Sequence, residues 1–177
     1  MTVSPPLSHE AASRLAAITN VRGIRVVRLH AQLEDDLDGT GNLTWILKDP
    51  TFIWEYNKPG LIAFIPFELT IKFRSEDGAE HNVGVVQVAY RVEYAVKEES
   101  ANEDDIPHYV GISGFLHVWP YLRAEVQSLT AKLGLPSLTL PVVVSGHPAH
   151  KVTLERARDV LASKGEYGHI GGASDPE

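Results

Sequence analysis

The sequence predicts an α+β fold, with a four-stranded antiparallel sheet followed by a long helix and a shorter C-terminal helix. Three observations predict it. Residues 61–73 and 83–96 each alternate apolar and polar side chains with the period of a strand, and a glycine-containing turn joins them, as in an antiparallel hairpin. After residue 105 the period changes: Phe115, Trp119, Leu122, Val126, Leu129 and Leu133 recur at three- and four-residue intervals, an apolar stripe on one helix that stops at Gly134. The strands precede this helix and no segment repeats, which is the order of an α+β domain. A chain of 177 residues can bury one sizeable core but not two. Residues 1–164 are therefore expected to form a single domain and residues 165–177 a flexible tail.

Residues 8–20 place Ala11, Ala12, Leu15, Ala16 and Ile18 at helical spacing behind Ser8, a capping residue, and predict an added N-terminal helix. Gly23 breaks that pattern. Residues 24–33 then read as a strand, with Val27, Leu29, Ala31 and Leu33 on one face and Arg28, His30 and Gln32 on the other. Residues 34–42 are an acidic turn. The aromatic segment 45–56 is interrupted by Asp49-Pro50, so it reads as a broken or edge strand. In 61–73 the positions Leu61, Ala63, Ile65, Phe67, Leu69, Ile71 and Phe73 make one wholly apolar face, while the other runs from Ile62, Phe64 and Pro66 to Glu68, Thr70 and Lys72. Residues 83–96 repeat the alternation and offer a long strand for edge pairing between copies. Residues 97–105 read as a solvated acidic connector, and Pro120 as a kink or as the start of the regular helix. Residues 135–144 are apolar and punctuated by proline, and 152–163 form a short second helix or lid.

Composition excludes several classes. Apolar residues make up 44% and charged residues 22%, the balance of a globular chain. The absence of cysteine removes disulfides, thiolate metal sites and cysteine nucleophiles. The N-terminal stretch has no unbroken apolar run, so neither a signal peptide nor membrane insertion is expected, and the cytoplasm is the expected location. A net charge of −7 disfavours nucleic acid as a partner.

Tests for chemistry return bland readings. Glu34, Asp36, Asp38 and Gly39 imitate the start of a calcium loop, but Trp45 occupies the position of its bidentate glutamate. His147 and His150 lack a nearby carboxylate and read as a surface loop. Gly111-Ile-Ser-Gly has its second glycine too early for a nucleophile elbow and reads as a small-residue packing point. No catalytic, metal or cofactor site is expected. The alternating Phe52, Trp54 and Tyr56, near a sheet edge, either pack in the core or, with Ile62 and Phe64, line an apolar groove that the segment after Gly134 covers. The stripe Phe115, Trp119, Leu122, Val126 and Leu129 is wider than a small sheet face requires and is read as an oligomer interface.

The run Trp119-Pro120-Tyr121-Leu122-Arg123, with Glu125, followed by Gly134-Leu135-Pro136-Ser137-Leu138-Thr139-Leu140-Pro141-Val142, resembles the most recognisable stretch of the SecB export chaperones. The resemblance spans residues 24–144, with its motifs confined to 119–142. Leu122 stands where that family has a small residue, and its Ala-Gly-Ile-Phe stretch is not found around residues 90–96. The added N-terminal helix and Ile24-Arg25-Val26-Val27-Arg28 are more similar to the divergent SecB-like chaperones that accompany toxin–antitoxin pairs.

The resemblance implies a SecB-like fold and an ATP-independent holdase: a homotetramer, built as a dimer of dimers, that binds unfolded preproteins or an antitoxin in apolar grooves. SecA is a further partner under the export role. Two other readings stay open, a small-ligand-binding or enzymatic α+β domain and a structural oligomeric adaptor.

Overall fold

In the computed structural model the described residues are 7–34, 41–48, 52–97, 101–135, 137–140 and 142. Residues 35–40 of the acidic turn, His147, His150, the helix at 152–163 and the tail fall outside them.

Helix α1 (His9–Ile18) is capped by Ser8, whose hydroxyl accepts from the Ala11 amide, and it buries Ala11, Ala12 and Leu15. Strand β1 (Thr19–Leu33) follows with no intervening loop. It begins earlier than its alternation suggests, because register shifts after Val21 and Val26 leave Arg22 and Val27 as extra residues. Val27 therefore drops out of the expected apolar face, and Val26 takes its place opposite Tyr90.

Among the described residues the sheet has five antiparallel strands in the order β1-β5-β4-β2, with β3 also on β4. Strands β4 (Gly60–Ser75) and β5 (Glu80–Val96) form the expected hairpin, paired from Gly60↔Ala95 to Arg74↔Glu80. The broken strand is two strands end to end on the same edge of β4. Strand β2 (Gly41–Leu47) pairs Leu69 to Ser75, and β3 (Ile53–Asn57) pairs Gly60 to Phe64. β5 lies between β1 and β4, so it has no free edge; the long free edge belongs to β1. That corrects the sequence expectation for residues 83–96.

The other layer is helical. A 3₁₀ turn (Glu103–Asp105), α2 (Ile106–Tyr109) and a π-helical turn (Val110–Gly114) lead into α3 (Phe115–Lys132). The start of this unit was expected to be a solvated connector, yet Asp105 is buried. Its carboxylate accepts from Arg14 Nε at 3.0 Å and Arg14 Nη2 at 2.7 Å, which docks α1 onto the helical layer. Small residues set the layer spacing. A Cβ on Gly114 would stand 3.0 Å from Ile65 Cδ1, so any larger residue there would have to displace the Ile65 side chain slightly for the helix to sit this close to β4. Pro120 lies inside α3 on its exposed side. Gly134, at φ +76°, ends the helix in the left-handed conformation.

Phe115, Val118, Leu122 and Val126 are fully buried, with Trp119 and Leu129 nearly so. They meet the apolar face of β4 and β5; Phe115 lies 6.0 Å from Phe67, ring to ring. The stripe read as an oligomer interface is thus used within one protomer, and its width no longer calls for a partner.

Candidate functional site

Which face a strand residue occupies follows from its partner, since residues paired across antiparallel strands point to the same side. Trp54 pairs Ala63 and Tyr56 pairs Leu61, both on the helix side. Ile53 pairs Phe64 and Glu55 pairs Ile62, on the open side. The five residues read as one groove therefore divide: Trp54 and Tyr56 line the helix side, while Ile62 and Phe64 lie on the opposite face. Phe52 is 1% exposed and belongs to the core. Sequence reasoning missed three residues that complete the first group. Leu43, Trp45 and Leu47 of β2 pair Phe73, Ile71 and Leu69 on the helix side and are half-buried. Their alternation was the available signal, hidden by the break at Asp49-Pro50.

Leu43, Trp45, Leu47, Trp54 and Tyr56 therefore form one apolar margin along the β2–β3 edge, packed against the core on one side and open to solvent on the other. The segment after α3 joins the same core. Leu135, Leu138 and Leu140 are buried, and the Leu138 amide donates to Thr130 Oγ1 at 3.1 Å. Arg123 Nε donates to the Leu140 carbonyl at 2.8 Å, fixing the segment along α3. The Tyr56 hydroxyl is buried without a hydrogen-bond partner among the described residues. Burial, reinforced by the Glu103 carboxylate, pushes its pKa above the ordinary tyrosine value. The neutral phenol persists and is a donor in search of an acceptor.

A second apolar margin runs along β1. Val21, Val26 and Leu29 pair Tyr94, Tyr90 and Val88, all on the helix side. The helices cover β4 and β5 but stop short of β1, leaving Val26 40% and Leu29 47% exposed. Among the described residues no strand pairs with the outer side of β1, so this apolar row adjoins the open edge of a 15-residue strand, the kind of edge that pairs with another chain.

Beneath the helices lies a buried polar group. Tyr94 Oη is 3.3 Å from His117 Nδ1, and Tyr109 meets the Tyr94 ring edge-on. Burial pushes both tyrosines up and His117 down, so all three are neutral at neutral pH. This group ties α2 and α3 to β5. Among the described residues no cluster of three or more His, Cys, Asp or Glu is placed to hold a metal ion, and no helix is long and apolar enough to cross a membrane.

No protein-family model matches the chain, and no curated protein matches it. Among solved structures, the chain is similar to the SecB-like chaperone Rv1957 of Mycobacterium tuberculosis, in complex with a ChAD peptide from the Rv1956 HigA1 antitoxin. The TM-score is 0.66 at 23% identity, over 76% of this chain and 97% of that one. A protein of unknown function from Streptococcus agalactiae aligns at a TM-score of 0.34 and 12% identity, over 70% of this chain and 97% of that one, which bears no weight. The five-stranded antiparallel sheet, the long helix laid across it and the match over nearly all of the mycobacterial chain together give this protein the SecB-like fold.

Proposed function

We propose that this protein is an ATP-independent holdase, not an enzyme, which binds unfolded polypeptide segments at the apolar margin of β2 and β3. The observation that carries this reading is that the helical layer leaves Leu43, Trp45, Leu47, Trp54 and Tyr56 only half covered. Such a row suits an extended chain. Rigid aromatic side chains anchor it, and its ordering cost is offset by many small apolar contacts.

Two copies join along β1, burying Val21, Val26 and Leu29 and closing the free edge, and such dimers pair into a homotetramer in the cytoplasm. Of the two roles, antitoxin protection is favoured over export, because the mycobacterial SecB-like chaperone, which shares this fold, is in complex with an antitoxin peptide. An export role adds SecA as a partner and predicts rescue of cells lacking their own SecB. A fluorescent unfolded-client titration without nucleotide tests the reading. Trp54→Ala should weaken binding by about 2 kcal/mol, roughly thirtyfold in Kd. Unchanged affinity in a folded variant moves the site elsewhere.

A further inference from the structure

Cations collect along one side of the open sheet face. β1 carries Arg22, Arg25, Arg28 and His30 and no carboxylate. The register sets Arg25 beside Arg91 and Arg28 beside Ala89, on the face away from the helices. Glu93 pairs with Arg25 and, at 3.3 Å, with Arg91; Arg28 has no carboxylate partner among the described residues. Arg28 and Lys48 border a shallow depression floored by Pro66 and Ala89. Its Glu68 is already engaged, by Lys48 at 3.2 Å and by Gln87 at 2.9 Å. Two arginines sharing Glu93, and Arg28 with no carboxylate partner among the described residues, are thus set beside an apolar floor, in a chain whose net charge is −7.

We infer that this strip docks an acidic, extended polypeptide segment of a partner, with its carboxylates on Arg25, Arg28 and Arg91 and its apolar side chains on Pro66, Ala89 and Phe64. Charge complementarity selects the acid, since a guanidinium takes a carboxylate through two parallel hydrogen bonds. The apolar floor selects a peptide over a sugar-phosphate backbone. The strip is on the opposite face from the β2–β3 margin, so an acidic partner and an apolar client can be held together. Joining two copies along β1 merges two strips into one; that doubling rests on the reading above, while the strip on one protomer does not.

Fluorescence anisotropy with the full chain at low salt tests this, using three labelled probes: a peptide alternating glutamate with leucine and phenylalanine, its lysine counterpart, and single-stranded oligothymidine. Arg28→Glu should weaken the acidic peptide about tenfold, and Arg28→Gln by less, with the lysine peptide unaffected. Acidic-peptide affinity that is unchanged in Arg28→Glu overturns the proposal. So does oligothymidine binding that falls with Arg28→Glu while the acidic peptide's does not. Aggregation assays on the same samples separate the two readings: Arg28-dependent acidic-peptide binding by a protein that fails to hold clients supports the strip and sinks only the holdase.

Discussion

Leu122 shows how completely the helix stripe is committed to the core. It is fully buried between the sheet and neighbouring turns, so Leu122→Ala removes its transfer energy and leaves a cavity, a loss of about 2–5 kcal/mol that urea unfolding would read as a lower midpoint. His108 makes a different kind of contact. Its Nδ1 accepts from the Ser8 amide at 3.1 Å, beside the Arg14–Asp105 pair that holds the same helix. Burial holds this imidazole below the ordinary histidine value; Arg14 pushes the same way, while Asp105 and Asp104 pull it back. A pKa lowered by folding means that the contact's contribution is complete above the unfolded histidine value and is lost as the pH falls through the folded one. Protonation turns the acceptor into a donor facing another donor. Asp105, kept below the usual carboxylate range by its hydrogen bonds from Arg14, remains charged through that window. Between about pH 7 and about pH 5, amide exchange in His9–Ile18, corrected for its intrinsic pH dependence, should therefore quicken relative to α3. Equal protection of α1 at both values would contradict the contact.

At the scale of elements, β1 is the most exposed and the most informative. Its docking relies on a glycine opposite its end: a Cβ on Gly84 would stand 2.7 Å from the Gln32 carbonyl oxygen. Gly84→Ala should push the two strands apart there, speeding amide exchange near Ala31 and Leu33 while leaving the Thr19 end protected. Exchange unchanged at both ends would show that the strand shifts without cost. The central hairpin was legible in the sequence because both strands keep their alternation from Gly60↔Ala95 to Ile71↔Gly84, across a core that covers one face. β1 was less so. Its two extra residues, Arg22 and Val27, reverse the alternation, and only Gly23 hinted at an irregularity. The face of Trp54 was hidden for a related reason: a short strand acquires its side from the partner it pairs with, here Ala63, and neighbouring aromatics do not reveal that choice. Asp105 read as solvated because its partner, Arg14, is 91 residues away and on another helix.

The whole molecule is a sheet only partly roofed by its helices. The centre is sealed by Phe115, Trp119, Leu122 and Val126, while both margins stay apolar and open, and that asymmetry underlies the proposed division between a client margin at β2–β3 and a copy-to-copy margin at β1. The second half of that division is checked by Leu29→Lys, which places a charge in the exposed apolar row. Sedimentation velocity should show the variant shifted toward the monomer with its circular dichroism unchanged, whereas an unaltered distribution would place the interface elsewhere. Client capture at the β2–β3 margin is read directly by the light scattering of an unrelated unfolded protein, diluted into buffer without nucleotide, with increasing amounts of this chain. Scattering should be suppressed by the wild type in near-stoichiometric amounts and much less by a folded Trp45→Ala, Trp54→Ala double variant; full aggregation in the presence of excess folded wild-type protein would contradict client binding at this margin.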